Sequence, residues 1–236
     1  METLEKKENE LISEKQIVNS SFDLKISTIN NIVEVENHEI YAQKLVFTIT
    51  KRSIDIILSV ILLLITLPLI ILFGLLIKLE SKGPVFYSQE RLGTNDRIFS
   101  IYKLRSMYSD AEKNGAMWAK VNDERVTKIG LFIRKTRIDE LPQLYNVIKG
   151  EMSLIGPRPE RKVFADEFIQ LNNEFSKRTA VKPGLTGLAQ VHGGYDLTPF
   201  EKLDLDLKYI KKRNSKMEFH IFCYTIKVII TGEGAR

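Results

Sequence analysis

IILSVILLLITLPLIILFGLLI, residues 56–77, is the longest apolar run in the chain and carries no charge. As a straight helix it reaches about 33 Å, roughly one hydrocarbon thickness. Length alone therefore predicts one membrane-crossing helix. Two features predict a different course. Pro68 interrupts the run, removing a helical hydrogen bond and favouring a kink. The resulting arms, Ile56–Leu67 and Leu69–Ile77, are each too short to cross a core of about 30 Å. Both flanks are also basic, with Lys51 and Arg52 before the run and Lys78, Lys82 and Arg91 after it. Basic residues mark the cytoplasmic side of a membrane helix, so both ends are expected on that side. A re-entrant helix-break-helix meets both conditions, with Ser59 and Thr66 placed to help the backbone groups freed at the bend.

Outward from this run the chain is ordinary in composition. It has 236 residues, 44% hydrophobic and 28% charged, which excludes a mostly membrane-buried polytopic protein. The net charge of +5 favours an anionic partner: a membrane surface, a nucleotide or nucleic acid. Cys223 is the one cysteine and has no internal disulfide partner, which fits a reducing compartment. METLEKKENELISEKQ lacks the apolar core of a secretory signal, so membrane attachment is expected from the run at 56–77.

The expected division is a polar extension over 1–47, a membrane helix over 48–80 and a catalytic domain over 81–236. The catalytic domain reads as α+β and mainly helical. Val85–Gln89 and the alternating Arg97–Met107 predict strands. Leu141, Leu144, Tyr145 and Ile148 lie at the spacing of one helix face. Phe164–Phe175, Leu203–Ile210 and Met217–Ile230 predict further helices, the last also suited to a membrane interface. Phe22–Ile26 alternates like a strand but carries no motif.

The chemistry concentrates between Ile133 and Glu160, IRKTRIDELPQLYNVIKGEMSLIGPRPE. Asp139 and Glu140 stand where a loop becomes a helix. By themselves they are ordinary helix-start residues, Asp139 as an N-cap and Glu140 beside the positive helix end. Arg134 and Arg137 precede them, and Arg158 follows in the loop Gly156-Pro157-Arg158-Pro159. Pro157 and Pro159 restrict that arginine before any ligand binds. Carboxylates among arginines suit phosphates and a divalent metal, and carboxylate oxygens suit Mg²⁺. Lys103 and Arg105 alternate along a strand and could present both cations to phosphates; a solvated strand face accounts for them equally well. His38, His192 and His220 lack ligand spacing.

KRSIDIILSVILLLITLPLI, the segment Arg134–Glu160 and VKPGLTGLAQV at 181–191 occur in an order that resembles the bacterial sugar transferases, the monotopic phosphoglycosyl transferases. The resemblance covers roughly residues 48–236. It implies a proline-broken re-entrant helix at Pro68, whose basic start and following aspartate correspond to Lys51, Arg52 and Asp55. It implies a catalytic dyad of Asp139, the nucleophile, and Glu140, both beside Mg²⁺. It implies diphosphate binding by Arg134 and Arg158 within the loop 157–159. Leu188 stands where many members have tryptophan before the Ala-Gln pair. The implied substrates are a UDP-sugar and polyprenyl phosphate, the implied place is the bacterial inner membrane with the catalytic domain facing the cytoplasm, and no nucleic-acid partner is expected. Self-association and the identity of the sugar are left open. The competing reading is a non-catalytic basic domain tethered to the membrane, binding anionic lipid or nucleic acid, which leaves the carboxylate pair without a purpose.

Overall fold

The computed structural model describes residues 43–231 except 114, 116 and 118–122, and gives Tyr195 by its backbone alone. Phe22–Ile26 and His38 lie outside the described residues. By internal packing the chain divides into Met1–Thr50 and Lys51–Arg236. In the first unit, Gln43–Thr50 is helical, and Thr48 Oγ1 donates back to Lys44 O at 2.8 Å. That turn opens a helix, α1, running over Gln43–Glu80.

Helical structure continues through Pro68. No non-helical residue separates the two expected arms. A proline removes only one donor, here the one that would serve the Leu64 carbonyl, and the neighbouring turns keep theirs. Ser59 and Thr66 do not serve that carbonyl either. Thr66 Oγ1 donates to Leu62 O at 2.7 Å, and the fully buried Ser59 hydroxyl has no hydrogen-bond partner among the described residues.

The second unit grips α1 at both ends of its apolar stretch. At the first end, Asp55 accepts from Ser153 Oγ at 2.7 Å and from Leu154 N at 3.1 Å. Lys51 Nζ donates to Glu218 Oε2 at 2.6 Å. Arg52 donates to the carbonyls of Val147 and Ile148 at 2.7 and 2.9 Å. At the far end, Arg105 donates to the carbonyls of Ile77, Ser81 and Lys82 at 3.3, 2.8 and 2.5 Å. Glu80 accepts the Ile129 N–H at 3.0 Å. Between these clamps Leu62, Leu64, Ile65, Leu67, Ile71 and Leu72 remain exposed, so the outer face of α1 is a bare hydrocarbon surface.

After the Gly83-Pro84 turn, strand β1 (Phe86–Leu92) pairs antiparallel with β2 (Ile98–Leu104), in register Phe86↔Leu104 to Leu92↔Ile98. Both strands fall where alternation predicts them. Helix α2 (Lys128–Lys135) starts on Thr127, whose Oγ1 accepts the Gly130 N–H. A 3₁₀ turn, Ile138–Glu140, leads into α3 (Gln143–Lys149). Helix α3 buries Gln143, Leu144, Asn146 and Val147, while Tyr145 is half exposed. The predicted stripe through Tyr145 is thus rotated by about one position, because Asn146 turns inward. Its amide accepts Tyr102 N at 3.2 Å and donates to Ser100 O at 2.7 Å, tying α3 to β2. Helix α3 ends at Gly150, whose φ of 89° suits glycine, with the Arg52 guanidinium on the last carbonyls.

Strand β3 (Ser153–Ile155) then lies parallel to β4 (Gly184–Thr186). Between them run α4 (Lys162–Leu171) and a 3₁₀ stretch, Asn173–Ala180, so the single helix expected over 164–175 is divided. The chain closes with a short α5 (Leu188–Val191), α6 (Pro199–Lys212) and α7 (Ser215–Thr231). Helix α6 begins with a reciprocal Thr198–Glu201 capping box, and Pro199 stands in its first turn. The architecture is mainly helical with two small sheets.

Candidate functional site

Asp139 and Glu140 occupy the 3₁₀ turn between α2 and α3. The chain enters this turn through Arg137, whose φ of 57° is left-handed. Asp139 caps neither helix, so the ordinary N-cap reading does not hold. The flanking residues fix the position of the pair. Ile138 and Leu141 pack on the cluster formed by Ile70, Ile77, Leu104 and Ile133, which joins α1 to the domain. The carboxylates are thereby bracketed by residues packed on a cluster that the apolar helix shares.

Two cations converge on Glu140. Lys103 Nζ lies 2.7 Å from its Oε1, and Arg158 donates to both carboxylate oxygens, to Oε2 at 3.4 Å. Asp139 is at least as buried, but its ion-pair partner, Lys103 Nζ, stands at 4.0 Å. The two neighbours therefore separate in acidity. Burial pushes Asp139 up to about 6, against the opposing pull of Lys103, and the Glu140 charge adds to the rise. Burial acts on Glu140 in the same sense, yet Arg158 and Lys103 overcome it and hold that carboxyl well below the usual range. The result is one fixed anion beside one carboxylate with unused capacity.

Arg158 is held rigidly. Four successive carbonyls of its loop each accept a hydrogen bond: Pro157 from Gly184 N at 2.8 Å, Arg158 from Arg178 Nη2 at 3.0 Å, Pro159 from Arg91 Nη1 at 3.2 Å and Glu160 from Leu92 N at 2.9 Å. Pro157 and Pro159, on either side of Arg158, are buried. The loop sits tightly on the PGLTG segment. A Cβ at Gly184 would lie 2.1 Å from Gly156 N, and one at Gly187 2.1 Å from Gly156 O, so both positions require glycine. Arg178 is itself buried, bonded to Asp206 Oδ2 at 2.8 Å and lying over the Phe175 ring.

The structure brings together Lys103, Asp139, Glu140 and Arg158, with Arg134 near enough to act on Asp139 electrostatically. Arg137 lies behind Arg158, in a cleft that both residues line. Arg105 belongs elsewhere, which corrects its assignment to phosphate binding. Strand β2 ends at Leu104, and the Arg105 side chain is buried on the terminal carbonyls of α1. His192 is exposed, its Nδ1 2.9 Å from Leu188 O, and lines neither cleft. Lys51, Arg52 and Asp55 are docking residues that join α1 to the domain. Sequence reasoning missed Arg178, Asp206 and Gln190. The first two lack a local pattern, and Gln190 was visible only as part of VKPGLTGLAQV.

The donor set accommodates a hard divalent cation. Magnesium binds through one or two carboxylates, completing its shell with water and substrate phosphate. Asp139 has the unused oxygen capacity this needs, whereas Glu140 already carries two cations. Among the described residues no group of three or more acidic, histidine or cysteine ligands exists, so an all-protein cage is not formed.

A buried acidic pair beside a pinned arginine can hold a phosphate and a metal ion, and the residues flanking the pair pack on a cluster shared with the apolar helix. Comparison with known proteins gives the family: residues 46–232 match the bacterial sugar transferase family, and the chain belongs to that family. It is 45% identical over 194 residues to the UDP-N-acetylgalactosamine-undecaprenyl-phosphate N-acetylgalactosaminephosphotransferase of Aeromonas hydrophila, across 81% of this chain and 46% of that one. It is 36% identical over 190 residues to the UDP-glucose:undecaprenyl-phosphate glucose-1-phosphate transferase of Caulobacter vibrioides, across 78% and 71%. The undecaprenyl-phosphate galactose phosphotransferase of Salmonella typhimurium is 36% identical over 200 residues, across 78% and 41%. The chain thus spans less than half the length of the Aeromonas and Salmonella relatives.

Proposed function

We propose that this protein transfers a sugar 1-phosphate from a UDP-sugar to polyprenyl phosphate, releasing UMP, at the cytoplasmic face of a bacterial inner membrane. The observation that carries the reading is the seat of Asp139: a buried carboxylate whose ion-pair partner Lys103 stands at 4.0 Å, flanked by residues packed on the cluster that holds α1. The reaction consists of two displacements. An Asp139 oxygen attacks the β-phosphorus, the bond to the α-phosphate oxygen breaks, and UMP departs with that electron pair. A polyprenyl phosphate oxygen then attacks the same phosphorus, the aspartyl–phosphorus bond breaks, and Asp139 returns as a carboxylate. Arg158 and Lys103 offset charge on the phosphoryl oxygens, and the pinned loop holds Arg158 in place beforehand. Glu140 fixes both cations and so sets their positions. Mg²⁺, which Asp139 would help to hold, would supply further charge neutralisation.

In this reading α1 is re-entrant and does not cross the bilayer. Support comes from its two clamps: residues 51–55 and 77–82 both dock on one domain, which a helix crossing the membrane upright cannot achieve. The exposed apolar face between them meets lipid, and the site rests at the boundary between a soluble and a lipid-confined substrate. A tethered, non-catalytic basic domain would leave the Asp139 geometry without purpose.

UDP-N-acetylgalactosamine is the first donor to assay, since the Aeromonas relative is named for it; UDP-glucose and UDP-galactose follow. Mixed with Mg²⁺ and undecaprenyl phosphate, the full chain should release UMP. Release of UDP would instead mean transfer of the sugar alone, and no release from any donor would remove the enzymatic reading.

A further inference from the structure

At the first end of α1 two cations face one small space. Helix α3 ends on Gly150, whose φ of 89° favours glycine and so keeps a side chain out of that space. A Cβ built on Gly150 would have as its three nearest neighbours Arg52 Nη2 at 3.2 Å, Lys182 Nζ at 3.6 Å and Arg52 Cζ at 3.7 Å. Arg52 Nη2 donates one N–H to Ile148 O and carries a second. Lys182 is half-buried, and its ammonium has no hydrogen-bond or ion-pair partner among the described residues. The acids of this end are engaged elsewhere: Asp55 by Ser153 Oγ and Leu154 N, Glu151 by Lys149 and Asn146, Glu218 by Lys51 and Tyr209. Burial lowers the Lys182 ammonium, and the Arg52 charge lowers it further, against the pull of Asp55. The backbone that carries Lys182 is fixed, since Pro183 O accepts Ser153 N at 2.9 Å and Gly184 N donates to Pro157 O at 2.8 Å. Two like charges are thus held around one opening.

We infer that Arg52 and Lys182 hold the phosphate of a phospholipid headgroup beside the first end of α1. The inference rests on the proposed contact of α1 with lipid and not on the reaction. Arg52 stands about one helical turn, roughly 6 Å, before Ile56, where the apolar run begins. That is the depth of headgroups around a segment whose next turn enters hydrocarbon, and the exposed Ile54 and Ile57 continue the apolar surface from this point. A phosphate oxygen suits both partners, because guanidinium and ammonium both donate charge-assisted bonds to phosphate. Its negative charge also offsets the repulsion between them. A phosphate held here is not the one that reacts. Helix α3 lies between, rising about 10 Å over its seven residues from the turn of the dyad to Gly150. The site therefore belongs to a lipid that stays in place, and not to the acceptor that is consumed.

The test uses the full chain, delipidated in a neutral detergent, and follows its melting temperature as dioctanoyl phosphatidylglycerol, undecaprenyl phosphate or inorganic phosphate is added. A ligand of the folded state raises that temperature with concentration. Phosphatidylglycerol should do so in the wild type, and inorganic phosphate at equal concentration should not. Lys182→Met should need about tenfold or more of the phospholipid for the same rise. Before any lipid is added, Lys182→Met should melt at the wild-type temperature or above it, because the repulsion with Arg52 is gone; a lysine with a purely structural role would lower it. Lys182→Gln serves where the methionine variant does not fold. Lys182→Arg should keep the response, and Lys211→Met, which removes the same charge from the exposed end of α6, should leave it unaltered. An equal phospholipid response in the wild type and the Lys182 variants overturns the inference, as does an equal loss in Lys211→Met. Dependence on Lys182 for undecaprenyl phosphate alone would give the pair to the acceptor, and an equal response to inorganic phosphate would give it to a free anion; either result overturns the phospholipid. Failure of the wild type to join vesicles overturns the contact of α1 with lipid, whereas joining them without a Lys182-dependent response overturns the headgroup site alone.

Discussion

Two buried groups of charge sit within one loop of each other and are built on opposite plans. Around the dyad, two cations converge at bonding distance on one acid, Glu140, while Lys103 stands 4.0 Å from Asp139. Behind Arg158, Arg178 and Asp206 form a one-to-one pair at 2.8 Å, and Arg178 spends a further donor on the Arg158 carbonyl. Burial pushes Asp206 upward as well, but the facing Arg178 opposes it at bonding distance. In the proposed reaction the uneven group keeps an acid available. The even group is scaffold.

The comparison breaks most decisively at Asp139. Asp139→Asn keeps the volume and removes the nucleophile, so UMP release should fall by at least about 10³-fold with the melting temperature unchanged or raised. Retained turnover would move the chemistry to another residue. Next comes the scaffold pair. Arg178→Met strands a buried carboxylate and should cost about 3–5 kcal/mol in chemical denaturation. Adding Asp206→Leu should restore most of that stability, while activity stays low because the Arg158 carbonyl has lost its donor. Recovery of activity along with stability would show that the pair does not position the loop.

A smaller effect sharpens the contrast in acidity. Asp139 attacks only as the carboxylate, so a pKa of about 6 predicts a rate that falls about tenfold per unit as pH drops below that value. Lys103 lowers this pKa, so Lys103→Met should move the acid limb to higher pH, and raising Mg²⁺ should move it down if the metal binds Asp139. A limb unmoved by either change would assign it to another group. The least effect is expected at Arg137. Arg137→Gly relieves the left-handed backbone and should gain up to about 1 kcal/mol of stability, while UMP affinity falls.

Much of this was legible from local pattern. The apolar run, the β1–β2 alternation, the acidic pair and the proline-braced Arg158 can all be read within a dozen neighbouring residues. Arg105 was misjudged because alternation continues one position past the end of β2, where the backbone turns the side chain under α1. Helical structure runs on through Pro68 because one lost donor does not end a helix. The Arg178–Asp206 pair, 28 residues apart, depends on how α6 packs against the preceding 3₁₀ stretch. No periodicity announces such a contact.

The double clamp on α1 bears on how the protein reaches its place of work. A segment fastened at both feet to one folded body carries no charged residue through the hydrocarbon when it sinks in. In the proposed re-entrant course, Lys51, Arg52, Lys78 and Lys82 stay on the side where they were made. Seating then draws on the burial of bare leucine and isoleucine side chains, and it should proceed equally well into vesicles whose transmembrane voltage has been collapsed.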